Sequence, residues 1–199
     1  FQPDTPLSSF PGPWFIATSR NFTSTSAAPV NLQSVDPFDE DASPKFFVVD
    51  DRANNVFHYG EMGNHQSDRD FAPGQIKQRG ITTTADGSRV WTVDAKKVVR
   101  AFDADGNLLG SWTAPKLKSP SGIATDGVNI WIVDQKAKAV YRFDSAAEVT
   151  SGSLNASSSF KLHKSNTKAE GITAHGQRLW VADDGKKQDR VYVYSATGG

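Results

Sequence analysis

The chain has 199 residues, enough for one well-buried domain or two small ones. Lysine plus arginine equals aspartate plus glutamate at 22 each, so net charge draws it to neither nucleic acid nor an anionic membrane. No apolar run approaches the ~20 residues that cross a bilayer, and the absence of cysteine removes disulfides, thiolate zinc sites and a cysteine nucleophile.

Hydrophobic residues make up 37% and charged residues 22%, the composition of a globular chain in which half of each strand faces water. The sequence opens at Phe1 with no signal-type segment, which reads as a mature, processed or excised piece. Abundant serine, threonine and asparagine, with Met62 the single methionine, are expected of an exported protein, extracellular or at the cell surface.

In chain order, residues 1–13 form a proline-containing N-terminal arm, and residues 14–199 read as one repeat domain. Trp14 to Thr18 has strand character. Asn21-Phe22-Thr23 fits the N-glycosylation acceptor pattern, as does Asn155-Ala156-Ser157. Val30 to Val35 is the expected opening strand of a first unit. An acidic stretch follows, in which Asp36, Asp39 and Asp41 are the candidate oxygen ligands for a hard cation such as calcium, with a solvated loop as the plainer reading.

A phrase then occurs four times: Phe46-Phe47-Val48-Val49-Asp50, Val90-Trp91-Thr92-Val93-Asp94, Ile130-Trp131-Ile132-Val133-Asp134 and Leu179-Trp180-Val181-Ala182-Asp183. Its closing aspartates lie 44, 40 and 49 residues apart. A period of that length marks a repeat architecture. The units are placed at about 30–75, 76–115, 119–163 and 168–195. Each parses as four short strands. In the third unit, Gly122 to Thr125 is a first strand and Asp126-Gly127 a tight turn. Asn129 to Asp134 is a near-continuous apolar strand, as suits an element covered on both faces. Val140 to Phe143 is a third strand, and Ser158 to Leu162 a fourth. The second unit repeats the plan with Gly80-Ile81, Asp86-Gly87 and Asp105-Gly106. The first unit has only a faint fourth strand near Phe71. The last unit stops after Tyr194 with none.

Four strands per period of about 45 residues select an all-β fold, a β-propeller of four blades of four antiparallel strands. Residues 14–19, paired onto the last blade, are the expected closing strand, since this leaves no edge bare. A fragment of a larger propeller is the rival.

The order Gly122-Ile123-Ala124-Thr125-Asp126-Gly127, Ile130 to Asp134, Val140 to Asp144 resembles the blades of NHL-type and streptogramin-lyase-like propellers. With the serine-rich stretch from Ser151 to Phe160, it also resembles repeats in large exported bacterial proteins. The resemblance spans residues 46–195. It implies a fold rather than an activity, because such propellers serve as lactonases, lyases and non-catalytic binding platforms.

Chemistry is sparse. The four phrase-ending aspartates are read as turn caps that accept backbone N–H bonds. Asp103 to Asn107 looks like the start of a calcium loop, but Ala114 stands where the twelfth-position glutamate belongs, so a hairpin is the better reading. His58, His65, His163 and His175 show no zinc spacing, and Glu61, Glu148 and Glu170 are read as connector residues. There is no nucleophile elbow and no phosphate loop. Trp91, Trp131 and Trp180 are read as blade packing, whereas Trp14 and Trp112 are candidates for a contact surface. Lys96, Lys97, Lys136, Lys138, Lys186 and Lys187 recur in one loop type and would line one face of the ring.

The reading is therefore a non-catalytic exported module for binding protein or glycan, with no catalytic residue and no cofactor assigned. A lactonase- or lyase-like enzyme using a divalent cation such as calcium is the first alternative. A structural subunit of an extracellular layer or filament, self-associating through the N-terminal arm, is the second.

Overall fold

A computed structural model describes residues 14–17, 46–50, 55–59, 64–69, 77–185 and 189–198. The protein is an all-β propeller. Its first sheet holds β1 (Trp14–Ala17), β2 (Phe46–Asp50), β3 (Asn55–Tyr59) and β4 (His65–Arg69). The second holds β5 (Gln78–Thr83), β6 (Arg89–Asp94), β7 (Val98–Asp103) and β8 (Leu108–Thr113). The third holds β9 (Pro120–Thr125), β10 (Ile130–Asp134), β11 (Ala139–Phe143) and β12 (Ser158–Lys161). The fourth has three strands among the described residues: β13 (Ala169–His175), β14 (Arg178–Asp183) and β15 (Arg190–Ser195). A 3-10 turn at Ala146–Glu148 follows β11. The innermost strands β1, β5, β9 and β13 meet one another around the ring.

One expectation fails here. Trp14–Ala17 does not close the last blade. It pairs in parallel with β2, Trp14 opposite Phe46 and Ala17 opposite Val49, as the inner strand of the first blade. That place was expected for Val30–Val35, which lies outside the described residues. A parallel pair needs a long crossover, and residues 18–45 supply the chain length for one. Seated there, β1 covers the free edge of β2 and reaches β5. The fourth strand of this blade is His65–Arg69, upstream of Phe71.

Side chains alternate between the two faces of each blade, and the repeated phrase decides what each face meets. In the first three phrases the second and fourth residues point to the following blade, and in the last three the first and third point to the preceding one. Phe47 and Val49 thus join Ile81, Val90 and Phe102 in one core. Trp91 and Val93 join Ile130 and Ile132 in a second, with Trp112 and Phe143, whose rings lie 5.0 Å apart. Trp131 and Val133 join Leu179 and Val181 in a third. Each core is a face-to-face junction of twisted sheets, which is why β6 and β10 are buried on both sides.

The glycine of each Gly-Ile opening sits where inner strands touch. A Cβ on Gly80 would stand 2.9 Å from the Gly122 Cα, and one on Gly122 would stand 3.0 Å from the Gly171 Cα. Backbone approaches backbone around the channel, and only glycine leaves room.

The serine-rich connector of the third blade has a structural task. Ser111 N donates to Thr150 O at 2.8 Å, Thr113 N to Gly152 O at 3.0 Å, and Leu154 N to Thr113 O at 2.8 Å. The connector thereby runs along β8 as a parallel edge, pairing Thr113 with Ser153. It hides the outer edge of the second blade and ties it to the third.

Candidate functional site

The strand-ending aspartates are latches. Asp134 is fully buried. Its Oδ2 accepts from Lys118 N and, at 2.9 Å, from Ser119 N, while Oδ1 accepts from Ala137 N at 2.7 Å. One carboxylate therefore ties the linker entering the blade to the turn leaving the core strand. Asp183 repeats half of this, accepting from Lys168 N at 2.6 Å. Asp94 accepts from Val98 N at 3.0 Å and from the Arg100 guanidinium at 2.8 Å. In all three blades the residue after the aspartate donates back to the linker carbonyl: Ala95 to Lys77, Gln135 to Ser119 and Asp184 to Lys168. Their oxygens serve backbone donors and, in Asp94, the Arg100 side chain as well. Among the described residues no group of three or more histidine, aspartate or glutamate side chains is placed to hold a metal ion.

The latches bring linker and turn of each blade to one rim of the ring, and there the recurrent lysines lie. Lys97 and Lys138 occupy the same turn in successive blades with φ of 69° and 50°. The left-handed region costs an ordinary L-residue roughly 1–2 kcal/mol and is the usual place for glycine or asparagine. Lysine held there twice points to a use for the charge. Lys97 Nζ donates to Pro115 O at 3.4 Å. Among the described residues the side chains of Lys96, Lys136 and Lys138 make neither an ion pair nor a hydrogen bond. Lys186 and Lys187 lie outside the described residues.

Between the third and fourth blades this rim opens into a cleft of ≈ 1060 Å³. The turn carrying Gln135, Lys136 and Lys138 forms one wall. The linker with Ser165, Thr167 and Lys168 forms the floor, and Asp183 to Gly185, Arg190 and Tyr192 form the other wall. Lys168 pairs with Asp184, and with Glu170 at 3.2 Å. The hydrogen bond to Asp184 holds its ammonium above its ordinary range, with Glu170 adding to this and desolvation opposing it. Glu170 also accepts from Gln135 Nε2 at 3.1 Å, bridging the two blades. Tyr192 stacks against both His163 and Tyr194, at centroid distances of 6.0 and 6.5 Å. The Tyr194 hydroxyl accepts from His163 N at 3.1 Å and from Asn166 Nδ2 at 3.4 Å, which fixes the linker. The cleft thus combines a flat aromatic wall, a cationic rim at Lys136 and Lys138, and hydroxyls on its floor.

Other candidates fall elsewhere. Trp112, expected on a contact surface, is 1% exposed in the core between the second and third blades. Its place in the fourth strand opposite Val99 turns it inward. Trp14 lies in β1, and its side chain is not among those described. Asp36, Asp39, Asp41 and Asn21 lie outside the described residues. Asn155 is exposed on the strap connector. Asp103 accepts from the backbone and side-chain nitrogens of Asn107, at 2.8 and 2.9 Å, as a hairpin turn does. Glu170 is in β13, not in a connector. The sequence reading missed Lys168, Arg190 and Tyr192. A signal for the first was present, since Lys77, Lys118 and Lys168 each stand just ahead of an inner strand.

No protein-family profile matches the chain. No curated protein matches it either. Among solved structures, the chain is similar to one in the crystal structure of a nidogen/laminin complex, with a TM-score of 0.51 and 16% identity over 80% of this chain and 62% of that one. It is also similar to a chain in the structure of a humanized mutant of the Chaetomium thermophilum Polycomb Repressive Complex 2 bound to the inhibitor GSK126. There the TM-score is 0.51, with 9% identity over 71% of this chain and 32% of that one. The chain spans less than two thirds of both. At such identities the likeness concerns the fold, and it is that of a propeller.

Proposed function

We propose that this propeller is an exported, non-catalytic binding module, and that the cleft between its third and fourth blades takes an acidic glycan. The single observation that carries this reading is the pairing of a stacked aromatic wall, Tyr192, with the cations Lys136 and Lys138, unpaired among the described residues, in one cleft. A sugar ring lies against an aromatic face while its hydroxyls and carboxylates find hydroxyl and ammonium donors. The resemblance of the blades to NHL-type and streptogramin-lyase-like propellers and to repeats in large exported bacterial proteins belongs to the same reading, as does a protein partner that presents an acidic surface to the same rim.

The test is calorimetry against oligogalacturonate, with neutral cello-oligosaccharide as the control. Binding of the acidic oligomer is expected to weaken as salt rises and to fall at least about tenfold in the K136E/K138E double variant, since two favourable charges become two repulsive ones. Equal affinity for the neutral sugar, or an unchanged double variant, overturns the reading.

A further inference from the structure

The net charge of zero conceals two rims of opposite sign in the second and third blades. Successive strands of these blades are antiparallel, so the turns after their inner and third strands share one rim. The turns after their core strands and the linkers after their fourth strands share the other. The first rim is acidic. Asp86, Asp103, Asp105 and Asp126 stand in its turns, and the arginines nearest to it, Arg89 and Arg142, are paired with Glu148 and Asp144 at 2.8 and 2.7 Å.

The other rim of these blades is made of four segments, the turns 95–97 and 135–138 and the linkers 114–119 and 162–168. Each holds two lysines and no aspartate or glutamate. Lys97 is partly exposed and the rest are exposed, while the latch carboxylates Asp94 and Asp134 are buried. Main-chain hydrogen bonds join the segments in sequence. Ala114 N donates to Lys97 O, Gln135 N to Ser119 O and Leu162 N to Lys138 O, each at 3.0 Å. Asp184 N donates to Lys168 O at 3.0 Å and carries the run to the far wall of the cleft. The lysines therefore form one band on bonded backbone, from the second blade to the cleft. Packed sheets lie roughly 10 Å apart, so the band is longer than one sugar ring. A ligand held in the cleft alone leaves the lysines of the second blade unused.

We propose that this band is a track for the interior of a long acidic polysaccharide, which lies in the cleft and continues across the third blade to Lys96 and Lys116. The proposal rests on the reading of the cleft as a site for an acidic glycan and adds the length of that ligand. Carboxylates spaced along one polymer meet ammonium groups spaced along one band. Each contact made raises the effective concentration for the next. The acidic rim repels the same polymer, so a single face of the ring binds it.

The test compares trigalacturonate with pentadecagalacturonate by calorimetry on the 199-residue protein at physiological salt. Length alone raises affinity through the number of registers, so the deciding readout is a variant. K96E/K116E is expected to cut affinity for the long chain at least about tenfold and to leave the trimer within about twofold. Salt screens charges over about 8 Å, and the trimer does not reach the second blade. Retained trimer binding also shows that the variant is folded. K136E/K138E, at the cleft, is expected to weaken both ligands. Unchanged long-chain binding in K96E/K116E overturns the proposal and leaves the cleft reading standing. An equal loss for both ligands also overturns it, because the lysines then act on the cleft through their field and not by contact. A long chain that K96E/K116E weakens, while no trimer binds, supports the band and overturns the cleft reading instead. Binding of neither sugar overturns both.

Discussion

Asp134 shows how much a single side chain does in this repeat. Its two oxygens take three backbone donors from segments on either side of the blade, all at a buried position. Removing the acceptor leaves donors without partners, which costs about 1–3 kcal/mol for each that stays dry. D134A is expected to lose at least that amount in urea denaturation, with D134N intermediate because it keeps one oxygen. A loss no larger than that of an exposed control such as D144A would sink the latch assignment. The sequence reading as turn caps holds for Asp94 and Asp134, because the turn is local. That Asp134 and Asp183 also hold a linker 15 or 16 residues upstream could not be read, because it depends on how neighbouring units pack.

Among the elements, the hairpin turns carry the strongest electrostatic signature. Asp86 accepts from the Ser88 backbone and hydroxyl at 3.0 and 2.8 Å, and hydrogen bonds from Thr84 and Ser88 hold it down at about 2. The Asn107 side chain and backbone lower Asp103. Burial raises Asp126, but bonds from Asn129 and Val128 outweigh it and leave it below its ordinary range. A carboxylate whose folded pKa is depressed stabilises the fold fully above its unfolded pKa, near 4, and that contribution is lost as pH falls through the folded value. Melting temperature is therefore expected to drop between about pH 4 and pH 2. A D86N/D103N/D126N variant is expected to melt lower at pH 7 and to show a shallower acid slope. An identical slope would mean that other carboxylates control acid stability. These turns were legible from Asp-Gly pairs alone. The strap of residues 150–154 on β8 was not, since nothing in a serine-rich run says which edge it will join. Its mark in the sequence is only Gly110, where a Cβ would stand 2.2 Å from the Thr150 carbonyl oxygen.

For the whole molecule, the period named the architecture but not how its ends meet. Trp14 to Thr18 had strand character, yet its partner was chosen by an unfilled inner place beside β2, which no local pattern announces. The consequence falls on the fourth blade. Blades two and three each have two core junctions. Among the described residues blade four shares a core with blade three, and it touches the first blade chiefly where β13 reaches β1. In a chain of stacked units, stability is close to a sum of unit and nearest-neighbour terms, so a unit with one junction opens first. Fully burying a valine is worth roughly 1.5–3 kcal/mol, and Val191 and Val193 forgo more than half of it, about 2–4 kcal/mol together. Native-state hydrogen exchange is expected to give amides of β14 and β15 opening free energies lower than those of β6 and β10 by about that amount. Uniform protection across the three blades would mean that the fourth is sealed as the others are, and the exposed valines would then need another explanation.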